Sequence, residues 1–342
     1  MIRVLIIDDS ATMRAILMSR LSAEPDISVI GTAANAAEGR ELIKRFNPDV
    51  VTLDIEMPGM NGLDFLEKIM TLRPTPVIVV SGSTQEGNEV TARALALGAV
   101  DCYAKSDRSG MLQMEDNGRL ANLIREAAQV RFNNRWPVSA KVVSATQRSA
   151  RSPDEARMIA IGSSTGGVEA LQVLLKDFPV NCPPTVIVQH INPRFAPAIA
   201  RTLDLVSPAK VQLAEPDMPL RDGNIYLAPG GDRHLTIGGT GAYYARLRVG
   251  DPISGHVPSV DALFHSVAQT LGARAIGVLL TGMGSDGARG LLAMSEAGAQ
   301  TIAQDEASCT VFGMPRAAIS LGAAAIVAPI ERIAGHVLRQ AA

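Results

Sequence analysis

Three cysteines, Cys102, Cys182 and Cys309, are all that 342 residues contain, and they lie far apart with no C-x-x-C pair. That leaves no basis for a disulfide framework or a cysteine-built zinc site, and it fits a reducing cytosol. No apolar run reaches the ~18–20 residues needed to span a bilayer, which excludes membrane insertion by a helix. The opening segment reads as a strand rather than a signal peptide, because Asp8 and Asp9 interrupt its apolar run too early. Excess charge is missing too. A formal net charge of -2 and a pI near 6.2 offer no bulk attraction for nucleic acid or an anionic membrane. What is present is 47% hydrophobic and 19% charged residues, enough for two ordinary domains to bury a core each and too apolar for a disordered chain.

Short β-branched runs alternate with amphipathic stretches from the start. Val4–Ile7, Ile27–Ala33, Val50–Leu53, Val77–Val80 and Val100–Ala104 predict strands. Met13, Ile16, Leu17 and Leu21 form one helical face between them, and Leu63, Leu66 and Ile69 form another. This alternation predicts a parallel sheet covered on both faces, closed by a helix over Arg119–Val130. From about Phe132 to Arg157 the periodicity disappears and Arg135, Lys141, Arg148 and Arg151 make the chain basic. A solvated linker is the preferred reading, ahead of a nucleic-acid arm. The boundaries expected are a first domain over 1–125, a linker over 126–156 and a second domain over 157–342.

The second block is again α/β. Met158–Ile161, Val186–Gln189, Ile225–Leu227 and Ile276–Leu280 predict buried strands, and Leu235–Ile237 with Tyr243–Val249 predict a hairpin around a glycine-rich turn. Helices are expected over Val168–Phe178, Phe195–Leu205, Val260–Leu271, Ala288–Ala297 and Ile330–Arg339. No internal repeat relates the two blocks.

In the first block Asp8 and Asp9 follow strand one, while Asp54, Ser81 and Lys105 stand at the ends of strands three, four and five. A doubly wound sheet brings these ends to one edge, with strands one and three adjacent at the switch point where ligands bind. Three carboxylates there call for a hard divalent cation, Mg²⁺ being the best match. The cation would screen a phosphoryl donor approaching one carboxylate, and a lysine and a hydroxyl would hold the phosphoryl oxygens. Asp-Asp-Ser as a mere helix cap, or Lys105 as a surface lysine, explains each part but not all five together.

Ile7-Asp8-Asp9-Ser10, the run Leu53-Asp54-Ile55-Glu56-Met57-Pro58-Gly59-Met60-Asn61-Gly62, and Ala99 with Lys105 resemble response-regulator receiver domains over nearly all of the first ~125 residues. The resemblance implies a flavodoxin-like (βα)5 fold with Asp54 as phosphoacceptor. Mg²⁺ would be held by Asp9, Asp54 and the Glu56 carbonyl with Asp8 behind, and the phosphoryl group by Ser81 and Lys105. Two positions depart from the pattern. Ser106 replaces the usual proline, and Cys102 stands where many receivers carry a switch aromatic, with Tyr103 expected on the opposite face of the strand.

In the second block Gly162-Ser163-Ser164-Thr165-Gly166 fits G-x-S-x-G between a strand and a helix, the setting for a nucleophile on a sharp turn. The competing dinucleotide loop lacks G-x-G-x-x-G spacing and an acid at the next strand end. A serine needs a base. Of His190, His234, His256, His265 and His336, His190 directly follows a buried strand at the same sheet edge. His265 and His336 fall within helices, and His234 and His256 are loop residues able to form a wall of the cleft. Asp286, in Thr281-Gly282-Met283-Gly284-Ser285-Asp286-Gly287 after another buried strand, is the candidate acid. Alone it reads as the N-cap of the following helix.

Ile161-Gly162-Ser163-Ser164-Thr165-Gly166-Gly167, Val188-Gln189-His190, Pro258-Ser259-Val260-Asp261, the Thr281–Gly287 loop, Ala303–Cys309 and Val311-Phe312-Gly313-Met314-Pro315 look like the catalytic domain of chemotaxis methylesterases, over nearly all of 157–340. The resemblance implies a doubly wound, mainly parallel α/β domain in a cytoplasmic, phosphorylation-regulated serine hydrolase. That enzyme would demethylate glutamate γ-methyl esters and deamidate glutamines on chemoreceptors. Ser164 would be nucleophile, His190 base and Asp286 its partner, with the Met283 backbone at the oxyanion, Thr165 in support and no cofactor for the ester step. A histidine kinase would supply phosphate, and neither nucleic acid nor membrane insertion is expected. Val257, Ser285 and Asn192-Pro193-Arg194 depart from the common pattern. The non-enzymatic rival is a response regulator with a partner- or nucleotide-binding output domain.

Overall fold

In the computed structural model the described residues are 1–57, 62–82, 85–105, 118–130 and 158–340. The chain divides into two compact units, Met1–Trp136 and Pro137–Ala342. The expected linker lies, beyond residue 130, outside the described residues, as does Ser106.

The first unit alternates β1 (Ile2–Ile7), α1 (Ala11–Ser22), β2 (Ile27–Ala33), α2 (Ala36–Phe46), β3 (Val50–Asp54), α3 (Gly62–Leu72), β4 (Val77–Ser81), α4 (Gln85–Ala96), β5 (Asp101–Ala104) and α5 (Arg119–Ala127). Its five strands are parallel in the order β2-β1-β3-β4-β5. Every residue of β3 and β4 is buried, as a strand covered on both faces requires. Local chemistry sets the helix starts. Ser10 accepts the Met13 amide at the head of α1. Asn35 accepts the Glu38 amide at the head of α2, while the Glu38 carboxylate returns to the Ala34 amide. Tyr103 turns towards α1, where Arg20 donates to its hydroxyl, and Cys102 is fully buried on the other face of β5.

The second unit runs β6 (Met158–Ser163), α6 (Gly167–Leu175), β7 (Thr185–Gln189), α7 (Ala196–Val206), β8 (Lys210–Leu213), β9 (Asn224–Leu227), β10 (Arg233–Gly238), β11 (Tyr244–Val249), α8 (Val260–Leu271), β12 (Ala275–Leu279), α9 (Ala288–Glu296), β13 (Gln300–Gln304), α10 (Met314–Ser320), β14 (Ile326–Ala328) and α11 (Ile330–Gln340). Seven strands form one parallel sheet ordered β14-β13-β12-β6-β7-β9-β8, and β10 pairs with β11 in a separate antiparallel hairpin. The chain leaves β6 towards β7 on one side and returns to β12 on the other. The ends of β12, β6 and β7 therefore meet at a switch point, where an open α/β sheet binds its ligand. The core beneath them includes Met158, Val188, Tyr226, Phe264, Leu279 and Met314, each at most 1% exposed.

Candidate active site and phosphoacceptor site

Ser164 follows β6 directly. Its amide donates to the Thr281 carbonyl at 3.0 Å, which ties the turn to the end of β12. Gly166 then takes a left-handed conformation, φ 74°, so that α6 begins within three residues of the serine. A side chain at Gly166 would collide with Thr310, and one at Gly167 with the Gln189 carboxamide. Gln189 fastens the turn from the next strand. Its Oε1 accepts the Ser163 hydroxyl at 2.6 Å, and its Nε2 donates to the Ser164 carbonyl at 2.8 Å and the His190 carbonyl at 3.0 Å.

His190 lies beside this turn, its amide bonded to the Ser163 carbonyl at 3.0 Å. Its Nε2 meets Asp286 Oδ2 at 2.8 Å. Asp286 is 1% exposed and accepts three further bonds: the Ser259 hydroxyl at 2.8 Å and the Val260 and Asp261 amides at 2.7 and 3.0 Å. An oxygen pair so surrounded by donors is an ionised acceptor, so His190 carries its proton on Nε2 and its lone pair on Nδ1. Nδ1 is buried and has no hydrogen-bond partner. No hydrogen bond joins it to the Ser164 hydroxyl; the two residues are brought together by adjacent strand ends.

Asp286 does not cap the helix that follows it, contrary to its local pattern; Gly287 holds that position. It occupies the N-terminus of α8, which begins twenty-six residues upstream in sequence, where the first two amides and the helix dipole favour a negative charge. Burial alone would raise its pKa, but His190, the Asp261 amide and Ser259 outweigh this and hold it below the usual carboxylate value. Asp261, 3% exposed, responds oppositely. Burial and the neighbouring Asp286 push its pKa up, despite bonds from the Gly290 amide at 2.7 Å and the Ser254 hydroxyl at 3.1 Å.

His256 covers His190, the two rings stacked with centroids 3.8 Å apart. His234 is buried behind the site: its Nδ1 accepts the Ser259 amide at 3.1 Å and its Nε2 meets the Asp251 carbonyl at 3.0 Å. Thr165 is buried, and its carbonyl accepts the Thr281 hydroxyl at 3.0 Å. Met283 is half-buried beside Gly282, where an added Cβ would stand 2.7 Å from the Ser164 Cβ and 2.3 Å from Met314 Sδ. Sequence reasoning overlooked Gln189, Ser259 and Thr281 as individual contributors. The signal available for Gln189 was a polar residue at the end of an otherwise apolar strand.

In the first unit Asp8, Asp9 and Asp54 bring one carboxylate oxygen each within 4.8 Å of one another. Asp8 is fully buried and Asp54 1% exposed, while Asp9 is open to solvent. Lys105 Nζ reaches Asp54 Oδ2 at 2.6 Å and Asp8 Oδ2 at 3.2 Å. Burial would lower the lysine pKa, but these carboxylates raise it; burial raises that of Asp8 although Lys105 opposes it. Asp8 Oδ2 has no hydrogen-bond partner beyond that ion pair, and the oxygen-only donor set suits a hard divalent cation. Glu56 donates its amide to Asp54 Oδ1 at 3.0 Å. Ser81 is buried at the end of β4, its hydroxyl within 3.3 Å of the Gly82 and Gly87 carbonyls.

Residues 159–337 match the CheB methylesterase family and residues 4–114 the response regulator receiver domain. The chain is 53% identical over 323 residues to protein-glutamate methylesterase/protein-glutamine glutaminase 1 of Caulobacter vibrioides, covering 94% of this chain and 93% of the relative. It is 50% identical to the protein of the same designation from Rhizobium johnstonii, covering 99% and 96%. Among solved structures, the Thermotoga maritima CheB methylesterase catalytic domain is similar, with 35% identity and a TM-score of 0.53, covering 54% of this chain and 98% of that one.

Proposed function

The chain belongs to the CheB methylesterase family, carrying a response-regulator receiver domain ahead of the esterase domain, and on that footing we propose a residue-level mechanism. The enzyme hydrolyses glutamate γ-methyl esters and deamidates glutamine side chains. Ser164 Oγ attacks the side-chain carbonyl while His190 Nδ1 takes its proton. The Met283 amide and the N-terminal end of α6 receive the negative charge on the carbonyl oxygen, and Thr165 supports the turn. His190 then gives the proton to the departing methoxy oxygen, or to the carboxamide nitrogen of glutamine, so that methanol or ammonia leaves as the carbon–oxygen or carbon–nitrogen bond breaks. Water, deprotonated by the same nitrogen, releases glutamate and restores Ser164.

The observation that supports this reading is the orientation of His190. Its Nε2 is committed to Asp286, and its buried, unpartnered Nδ1 belongs to the strand end next to Ser164. In the receiver, Asp54 accepts the phosphoryl group from a sensor histidine kinase, and Ser81 and Lys105 hold its oxygens. Mg²⁺, bound by Asp9, Asp54 and the Glu56 carbonyl with Asp8 behind, would neutralise the transferred charge. Phosphorylation raises esterase activity. The receiver is assigned to 1–125, a linker to 126–156 and the esterase to 157–342. No helix among the described residues is long and apolar enough to cross a membrane, and the substrate is the cytoplasmic helical region of methyl-accepting chemoreceptors.

The test is methanol release from methylated receptor membranes by the full chain. Wild type releases methanol and Ser164→Ala does not; release by Ser164→Ala at the wild-type rate would refute the assigned nucleophile.

A further inference from the structure

We infer that Ser259 and His234 are positioning residues for the esterase reaction, acting on His190 through Asp286. Four contacts form one continuous chain. The Asp251 carbonyl accepts from His234 Nε2 at 3.0 Å, and His234 Nδ1 accepts the Ser259 amide at 3.1 Å. The Ser259 hydroxyl donates to Asp286 Oδ1 at 2.8 Å, and Asp286 Oδ2 holds His190 at 2.8 Å. Ser259 is fully buried and His234 5% exposed, so no water substitutes readily for a lost partner.

The polarity of each link is fixed by its neighbours. A backbone amide can only donate and a carbonyl can only accept, so His234 is the neutral tautomer with its proton on Nε2. Ser259 caps α8 by accepting the Ala262 amide at 3.3 Å, which leaves its single hydroxyl proton for Asp286. Holding the Ser259 amide therefore fixes both the start of α8 and the direction of that proton. The Val260 and Asp261 amides, which also donate to Asp286, are the next two in the chain and move with it. His234 has a second effect. Its bond to Asp251 anchors the segment that returns through the Ile253–His256 turn to the ring stacked on His190. One buried imidazole thus sets the acid of the triad from one side and the cover of its base from the other. Neither residue touches the reacting atoms, so both act on rate through placement.

This inference rests on the esterase reading, and the experiment separates the two. Ser259→Ala in the full chain lowers kcat for methanol release about tenfold, the size expected for a lost hydrogen bond to a buried charge. KM stays within about twofold, because ground-state binding is untouched. Ser259→Gly, which preserves most of the cap on α8 without a donor, gives the same loss and serves if the alanine variant folds poorly. His234 is dissected by a pair of variants. His234→Asn keeps an acceptor near the Nδ1 position and retains most of kcat, whereas His234→Gln keeps a donor near Nε2 and loses as much as Ser259→Ala. A readout without substrate is the low-field proton resonance of the His190–Asp286 bond, which shifts or broadens away in Ser259→Ala and His234→Gln. Equal rates for the Asn and Gln variants, or an unmoved proton resonance in Ser259→Ala, would overturn the inference. Wild-type protein that releases no methanol, with the resonance still shifted in the variants, would sink the substrate reading alone.

Discussion

His256 lies flat against His190, ring centroids 3.8 Å apart and planes 8° from parallel. Two imidazoles in such contact cannot both be charged cheaply, and burial followed by the His190 neighbour lowers the His256 pKa to about 4, against a smaller opposing effect of Asp286. His256 is therefore a neutral plate over the His190 ring. Its replacement by Ala leaves one face of His190 uncovered and free to rotate. A fall in kcat of about tenfold, with partial recovery in His256→Phe, is expected from the loss of placement. Steady-state methanol release from the three proteins checks this.

The same ring makes stability depend on pH. Its unfolded value is 6.5 and its folded value about 4, so between these the unfolded chain binds the extra proton. Stability is unaffected by this group above 6.5, falls as the pH drops towards 4, and levels off below. His256→Phe removes that contribution. The denaturant midpoint of wild type is expected to fall relative to that of the variant on acidification from pH 7 to pH 5, and parallel curves would contradict the assignment.

Gly282 lies against Ser164 and Met314. An alanine there would bring its Cβ to 2.7 Å from the Ser164 Cβ and 2.3 Å from Met314 Sδ, so one of them must move. Gly282→Ala is expected to lower kcat about a hundredfold, the usual cost of displacing a reacting group by an ångström. A stability loss of about 1–3 kcal/mol accompanies overpacking of this kind. Thermal unfolding and methanol release on one preparation measure both.

Lys105 is the cation that compensates Asp8 and Asp54. Lys105→Met leaves two buried carboxylates facing each other and destabilises the metal-free receiver by about 2 kcal/mol. Millimolar Mg²⁺ restores part of the loss in the variant and less in wild type, which denaturation with and without the ion would show. Asp54→Ala abolishes both phosphate incorporation from a small phosphodonor and the stimulation of methanol release, and a stimulated Asp54→Ala protein would rule out this acceptor.

The strands that carry chemistry were legible because they are buried on both faces. Met158–Ser163, Thr185–Gln189 and Ala275–Leu279 are almost continuous apolar runs, each leading to a polar residue at the sheet edge. The hairpin of Arg233–Gly238 with Tyr244–Val249 announced itself by its glycines. Three strands escaped notice. Lys210–Leu213 and Ile326–Ala328 lie at the two sheet edges, short and half-solvated, and Gln300–Gln304 is bounded by glutamines. The helix Met314–Ser320 is only seven residues long and opens on a Met-Pro pair. For the site, strand ends pointed to Ser164, His190 and Asp286. The partners of Asp286 did not show, because its helix N-terminus comes from Val260 rather than from its own neighbours. Non-local contacts of this sort leave no period in a sequence, and His234 and His256 were legible only as loop residues near a cleft.

A thiol stands in β5 where many related domains hold a swinging ring, and the adjacent phenol is tethered to α1 by Arg20. The aromatic part of the usual receiver switch is therefore missing from this strand. On the proposed reading, a phosphoryl group on Asp54 would draw the Ser81 hydroxyl away from the Gly82 and Gly87 carbonyls that it now meets at 3.3 Å. Such a trigger is a rearrangement of backbone partners rather than a rotamer flip, and its threshold is set by how firmly two glycine carbonyls hold one hydrogen.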